Sequence, residues 1–332
     1  MSSGVRRLRT IFYLDRIARK ANGFQHVWCL HIGITSGVFD ALTTPLTVDE
    51  LADRTSLLRP HLLRFLNTCE LLGILNNRRG RYGLPGWVKR YLTSDEDFTL
   101  RGMVLDYTVH LGPGLSHIPE AMRSGTLLSH PPENAAVIAE ASRIMEPGAF
   151  RILRKLPVRR DGYRVLDVGC GSGSYLQYLA GLNPGLSGVG LELREDVAAA
   201  TRNRIHDRDL DGRIEIISGD FWETPIQGPF DLAMLNSNLY YFPVERRPAL
   251  VSKLAQLLAP GGHLAIQTPV PDERDASVAL FDLALSAFDY YHGLPTGTEI
   301  GELFRAAGLG DVKVRPLYAF FAWKYFIAKK GG

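Results

Sequence analysis

The sequence predicts an α/β chain in which a mainly helical, winged-helix amino-terminal domain precedes a doubly wound, mostly parallel sheet. Three observations carry that reading. Apolar residues from Phe12 to about Arg154 recur at helical spacing, as in Leu51, Leu57, Leu58, Leu62, Leu63 and Leu66. From Tyr163 onward, short apolar runs alternate with helical segments, the rhythm of a parallel sheet wound on both faces. A glycine-rich turn, Asp167-Val168-Gly169-Cys170-Gly171-Ser172-Gly173, joins the first of those runs to a helix.

In the amino-terminal part, Thr47-Val48-Asp49-Glu50-Leu51-Ala52 reads as a helix start, with Thr47 as cap and Glu50 three residues on to complete a capping box. Arg59-Pro60 opens the next helix, and Gly73 closes it. Ile74-Leu75, residues 76–80 and residues 81–84 then read as strand, turn and strand. Helix, helix and hairpin make a winged-helix pattern, which assigns residues 1–95 to one domain, 96–155 to a helical linker lining a substrate pocket, and 156–332 to the sheet domain.

The predicted strands of that sheet are residues 164–168, 187–193, 214–218, 230–235 and 263–268, with 312–317 and 319–329 as an antiparallel pair at the edge. That makes seven strands. Neither an internal repeat nor a low-complexity tract interrupts them.

Bulk composition bounds the function classes. The chain has 332 residues, 45% of them hydrophobic, enough for two cores. The apolar window at residues 11–14 runs at once into Asp15, Arg16, Arg19 and Lys20, so no stretch approaches the roughly 18 apolar residues of a membrane span. No small-residue cleavage site follows Arg6, Arg7 and Arg9, which sets a cytoplasmic location as the expectation. Cys29, Cys69 and Cys170 form neither a disulfide framework nor a close metal-ligand pair, and no metal is expected. Net charge is +3, but residues 1–95 hold 14 Lys and Arg against 7 Asp and Glu. A DNA-reading winged helix would use such an excess, with Arg59, Arg64, Arg78, Arg79 and Arg81 on phosphates. Leu62, Leu63 and Leu66 on the same helix point instead to burial, so nucleic acid is not the expected partner.

The turn after the first strand places backbone amides at a helix start, where nucleotide-type ligands bind. Its spacing, Gly169, Gly171 and Gly173 with Ser174 where G-x-G-x-x-G wants its third glycine, departs from the dinucleotide fingerprint. Asp167 puts a carboxylate at the mouth of the loop, which repels a pyrophosphate and attracts a ligand bearing an ammonium and a sulfonium. Glu192 ends the second strand, in the place where a carboxylate takes two ribose hydroxyls. Gly219-Asp220-Phe221 follows the third, offering a carboxylate for an adenine amine and an aromatic wall for its ring. With Asn236 after the fourth strand, these acids lie at the carboxyl ends of successive strands. The expected cofactor is S-adenosylmethionine.

On those residues, and on Leu258-Ala259-Pro260-Gly261-Gly262 before the fifth strand, the second half resembles class I S-adenosylmethionine-dependent methyltransferases. The first half, through residues 30–42, 45–52 and 71–75, is similar to the winged-helix dimerisation domain of the small-molecule O-methyltransferase family. The resemblance implies the strand order of that fold, a homodimer, and a substrate pocket to which the amino-terminal domain contributes.

One part of the family pattern is missing. Those enzymes carry His-Asp-Trp after the fourth strand, the histidine serving as general base; here Tyr240-Tyr241-Phe242 stands there. A tyrosine of ordinary pKa near 10 is a poor base at neutral pH. Three explanations stay open: the nucleophile needs no deprotonation, it is an activated carbon or nitrogen, or another residue supplies the base. His292 is the candidate for the last. Tyr240, Tyr241, Phe242, Phe288, Tyr290 and Tyr291 would form an aromatic pocket for a flat or cationic substrate. The expected activity is methyl transfer to a small molecule, with O, N, C or S as the atom methylated; the alternative is the same cofactor put to a diverged, non-methylating chemistry.

Overall fold

The computed structural model describes residues 22–94, 99–129, 134–271, 275–319 and 321–332. It divides into two compact units, residues 1–110 and 111–332. Among the described residues, no helix is long and apolar enough to cross a membrane.

The first unit contains α1 (Asn22–Thr35), α2 (Val38–Ala41), α3 (Val48–Thr55), α4 (Arg59–Leu71), the hairpin β1 (Asn76–Arg78) and β2 (Arg81–Gly83), α5 (Gly86–Leu92) and α6 (Arg101–Leu105), and ends in a π-helical turn, Asp106–His110. The helix, helix, hairpin succession is thus present. α3 starts on the expected capping box: Thr47 Oγ1 accepts the Glu50 amide, and Glu50 Oε2 accepts the Thr47 amide at 2.7 Å. In α4, Leu62, Leu66 and Cys69 recur on one face and are buried, while Leu63 is only half-buried.

The hairpin sits later than its sequence suggests. Ile74 and Leu75 are not its first strand: both of their amides bond back to the Cys69 carbonyl, at 2.8 and 3.2 Å, and their side chains fill the core. Gly73, with φ +70°, makes that reversal affordable in backbone terms, because its left-handed conformation closes the helix. The turn is reduced to Arg79 and Gly80, both at positive φ, and Leu46 pairs with Tyr82 on the far side of the wing.

The second unit is built on seven strands: β3 (Arg164–Val168), β4 (Ser187–Glu192), β5 (Ile214–Ser218), β6 (Phe230–Asn236), β7 (Leu258–Pro269), β8 (Leu309–Tyr318) and β9 (Phe321–Lys330). Their order in the sheet is β5-β4-β3-β6-β7-β9-β8. The first five are parallel, and β9 pairs antiparallel with both β7 and β8. The helices are α7 (Leu111–Ser124), α8 (Asn134–Ser142), α9 (Glu146–Leu153), α10 (Ser174–Leu182), α11 (Glu195–His206), α12 (Arg247–Gln256), α13 (Ala276–Leu285) and α14 (Gly297–Ala306). All seven residues of β6 are buried, as a strand covered by helices on both faces requires.

β7 begins at Leu258 rather than at His263, so the segment expected to precede the strand is part of it. Leu258 pairs with Phe230, and a register shift before Leu232 takes up the extra residues. Asn236, expected just beyond the fourth strand of the sheet, is its last residue.

The chain leaves β3 toward β4 and β5 on one side, then returns to lay β6 on the other side of β3. The crevice of a doubly wound sheet opens at that reversal, beyond the carboxyl ends of the strands. The turn after β3 therefore lies where ligands of this architecture bind.

Close packing behind that turn constrains β4. A Cβ on Gly190 would meet Ile216 Cδ1 at 2.7 Å, Cys170 Sγ at 2.8 Å and Leu176 Cδ1 at 3.0 Å. Gly190→Ala is expected to overpack this layer by about 2 kcal/mol, lowering the midpoint of thermal unfolding by roughly 4–8 °C. Unchanged unfolding in differential scanning calorimetry would show that Cys170 and its neighbours give way freely.

Candidate functional site

All three glycines of the turn are in the left-handed region, with φ of +69° at Gly169, +51° at Gly171 and +70° at Gly173. Side chains rarely adopt that conformation, which is why the chain needs glycine at alternate positions. Close approach adds a second reason at Gly169, where a Cβ would meet Asn238 Nδ2; that amide donates to the Val168 carbonyl. Gly173 is the cap from which α10 begins.

Four amides of the turn are engaged within the protein. Gly169 and Cys170 donate to the Leu191 carbonyl at 2.8 and 3.0 Å, and Gly173 donates to the Cys170 carbonyl at 2.9 Å. Gly171 donates to Glu192 Oε2 at 3.0 Å. Four of the turn's amides are thus held by protein acceptors, one of them on a carboxylate. What it brings to the crevice is negative charge.

Asp167 is not at the open mouth of the turn but fully buried at the end of β3. Its Oδ1 accepts the Asn236 side-chain amide at 3.1 Å, and Asn236 Oδ1 accepts the Tyr325 hydroxyl at 2.5 Å. Beside them, Tyr175 donates to Gln267 Oε1 at 3.0 Å. Asp167 Oδ2 is buried with no hydrogen-bond partner among the described residues, and so is Gln267 Nε2. Burial, with the charge of Glu192 adding to it against the Asn236 hydrogen bond, pushes the Asp167 carboxyl up to about 7. A bare carboxylate oxygen in a dry site is costly, on the order of 1–3 kcal/mol, until a donor or a cation reaches it.

Glu192 is half-buried, and its second oxygen accepts the Arg194 amide at 3.2 Å. Asp220, also half-buried, accepts the Trp222 amide at 2.7 Å and holds a turn through its carbonyl. Phe221 is only 3% exposed, packed edge-on to Trp222 with Lys253 Nζ 4.4 Å from its ring centre. The aromatic wall expected at Phe221 is thus mostly covered by protein. Trp222 is the more open ring, with the Arg246 guanidinium 4.4 Å over it.

A participant that sequence reading missed is Glu146, at the start of α9. It is buried, hydrogen-bonded to Ser174 at the start of α10, and 3.4 Å from Arg143. Burial raises its pKa above the ordinary range. Only the fold brings residue 146 to the glycine turn; no motif in the sequence marks it.

The acceptor candidates also converge. Tyr240 lies in a 3-10 turn directly after β6 and is buried. The His292 amide donates to its carbonyl at 2.9 Å, so the two candidates are joined through the backbone. The Tyr240 ring packs 4.5 Å from Tyr241, 5.8 Å from Phe281 and 6.2 Å from Tyr291, and Tyr290 lies 5.6 Å from Tyr241 and 5.2 Å from Phe288. Five of the six aromatic residues singled out in the sequence belong to this cluster, and Phe242 packs against the main core. His110 Nδ1 is 2.8 Å from Asp106, and His117 Nε2 is 2.8 Å from the Thr126 carbonyl. Among the described residues, no group of three His, Cys, Asp or Glu could hold a metal ion.

One buried cation organises this half. Arg247 is 1% exposed and reaches four acceptors: the carbonyls of Phe242 at 3.2 Å, His292 at 3.1 Å and Gly293 at 2.5 Å, and Glu299 Oε1 at 2.8 Å. It ties the segment after Tyr240 to the loop that carries His292 and to α14.

With this geometry in hand, the comparisons are specific. Residues 165–262 match the family model described as a methyltransferase domain. Over 309 residues the chain is 26% identical to a 3-hydroxy-5-methyl-1-naphthoate 3-O-methyltransferase of Streptomyces sahachiroi, covering 88% of each. Over 266 residues it is 26% identical to the N,N-dimethyltransferase OxyT of Streptomyces rimosus, covering 75% of this chain and 76% of that one. Human N-acetylserotonin methyltransferase, solved in complex with S-adenosylmethionine, shares the fold with a TM-score of 0.78 at 20% identity, over 96% of this chain and 98% of that chain.

Replacing Arg247 by Met, of similar length and no charge, strands three backbone carbonyls and Glu299. The second unit is expected to lose about 3 kcal/mol of stability, measured by urea unfolding followed by circular dichroism. A loss below about 1 kcal/mol would mean that these acceptors find other donors.

Proposed function

The chain is an S-adenosylmethionine-dependent methyltransferase of the class I fold, and on that premise we propose that it methylates a flat aromatic small molecule and works as a homodimer. When bound, the cofactor supplies an electrophilic methyl group on a sulfonium sulfur. The observation that carries the donor side is the fully buried Asp167 with one oxygen unpartnered among the described residues, beside a turn four of whose amides are held by protein acceptors. Such a pocket repels phosphate and favours a cation.

We assign cofactor binding to Gly169, Gly171 and Gly173, which let the backbone approach closely, to Asp167 for the cationic end, to Glu192 for the ribose hydroxyls, and to Asp220 for adenine, Phe221 being covered by protein. Asn236 acts through Asp167, whose free orientation it fixes by its hydrogen bond. On the acceptor side we assign Tyr240 and His292 to the substrate, surrounded by the aromatic cluster. A cluster of ring faces suits a planar acceptor, in keeping with the relative from Streptomyces sahachiroi, whose name gives it a hydroxynaphthoate. Alignment of the reacting atoms and exclusion of water are then the protein's main contributions.

The proposed dimer rests on α1, where Phe24, Trp28 and Ile32 recur every four residues and remain 68%, 41% and 42% exposed. An apolar stripe of that kind calls for a partner, and a second copy of the chain supplies the same stripe. Two of the arginines that a DNA-reading winged helix would use are in ion pairs, Arg59 with Asp49 and Arg81 with Glu50. The three cysteines are unbridged, as a reducing compartment requires, and the cytoplasm is the proposed location.

Calorimetry should show S-adenosylmethionine binding and no binding of NAD, and labelled methyl from the cofactor should pass to an aromatic acceptor in a metabolite extract. Tight NAD binding would overturn the assignment of the turn. Affinity for S-adenosylmethionine should also rise as pH climbs toward about 7, where buried Asp167 becomes ionised and can meet the cation. Below that value, each pH unit should weaken binding up to tenfold. Asp167→Asn should bind more weakly and without that slope between pH 5.5 and 7; an identical slope in the variant would assign the titration to another group.

A further inference from the structure

The missing histidine leaves open where the acceptor's proton goes. In the aromatic cluster, the Tyr291 hydroxyl donates to Asp282 Oδ1, from a loop residue to one on α13. Both side chains are half-buried. The phenol oxygen also receives the Leu294 amide and lies in the field of the Arg247 guanidinium. The Tyr291 ring is 6.2 Å from Tyr240, the residue that stands where the family's histidine would be, and Phe281, next to Asp282 in sequence, brings its ring to 5.8 Å from Tyr240.

We propose that Tyr291 and Asp282 form the proton relay of the methyl transfer, and that the acceptor is accordingly an aromatic hydroxyl compound that must lose a proton. This rests on the reading of the chain as a methyltransferase of aromatic molecules. The acceptor oxygen forms a bond to the methyl carbon as the carbon–sulfur bond breaks and its electron pair stays with sulfur. The acceptor's proton moves to the Tyr291 oxygen while the phenolic proton of Tyr291 moves to Asp282. The site gains one proton, held as the Asp282 carboxylic acid, and releases it to water after turnover.

Tyr291 cannot do this as a resting phenolate. Burial and the Asp282 charge raise its pKa above the ordinary phenol range, so the neutral phenol is the working form, and a neutral phenol accepts a proton only by giving one up. Its contact with a carboxylate provides that exit. The Leu294 amide and the Arg247 guanidinium both act on the phenol oxygen, and the Arg247 charge favours negative character there during transfer. A thioether or tertiary amine acceptor would have no use for such a device.

The test uses the full chain, labelled S-adenosylmethionine, and as acceptors 1-naphthol, a hydroxynaphthoate and whatever the extract yields. Asp282→Asn keeps an oxygen for the Tyr291 hydroxyl but takes no proton; Tyr291→Phe removes the relay. Both should lower kcat at pH 7 by about 100-fold or more, with acceptor KM within threefold and cofactor affinity unchanged. In Asp282→Asn the remaining rate should climb about tenfold per pH unit as the acceptor ionises in solution, while the unaltered protein levels off; Asp282→Glu should restore part of kcat. A wild-type kcat in Asp282→Asn, or a loss confined to KM or to cofactor binding, would overturn the relay and leave the methyltransferase reading standing. No methyl transfer by the unaltered protein to any acceptor would overturn both.

Discussion

The burial of one carboxylate at the end of the first central strand is the constraint from which the donor half of the site follows. Asp167 lies where β3 gives way to the glycine turn, at the reversal of strand order, and it has no access to solvent. An isolated charge there would be expensive. The surroundings answer with the Asn236 amide on one oxygen and with a raised pKa that keeps the group partly neutral until a ligand arrives. Asn236 is in turn fixed by Tyr325 from β9, so the orientation of the acid depends on a strand far away in sequence. The turn itself then has little freedom. Its glycines must be left-handed to bring the chain round above the acid, and three of its amides are held on Leu191 and Glu192.

The acceptor half is held by different means. No backbone motif defines it; it is assembled from the segment after β6, the end of α13 and the loop before α14. Arg247 joins two of these pieces to α14, with two carbonyls of the 292–293 loop, one from Phe242 and the Glu299 carboxylate on a single guanidinium. A planar group with five donors suits that task, where a lysine would offer a single point of charge. The aromatic rings then pack edge-on and tilted against one another, a geometry that fills space while leaving hydroxyls and a carboxylate to be placed individually.

This division explains what the sequence disclosed. The strand rhythm, the glycine turn and the acids at strand ends are local patterns, each set by a few adjacent residues, and their positions in the chain are also their positions in the fold. The Thr47 capping box was legible for the same reason. Local reading failed where distant residues decide. Asp167 looked like a surface acid because burial is imposed by β6, β9 and α10; Phe221 looked like an open wall until Lys253 on α12 covered it. Glu146, Arg247 and the Tyr291–Asp282 contact have no sequence signature at all, since each depends on side chains brought together from separate elements. The wing was misplaced by two residues because the Schellman closure after α4 draws Ile74 and Leu75 back onto the helix.

The two means of construction have unequal tolerance for change. A left-handed glycine or a fully buried acid admits almost no substitute, because the backbone or the desolvation cost forbids it. The acceptor half is a set of side chains on a clamp, and each ring or hydroxyl can be exchanged without moving a strand. A tyrosine rather than a histidine after β6 is therefore a smaller matter structurally than chemically. The Tyr240 turn keeps its backbone hydrogen bond to His292 whatever side chain stands at residue 240, and the pocket around it can recruit a proton acceptor from another element. A carboxylate on α13, already joined to the Tyr291 phenol of that cluster, is the recruit we propose. The side chains of the acceptor half are thus free to drift, while the geometry of the glycine turn is not.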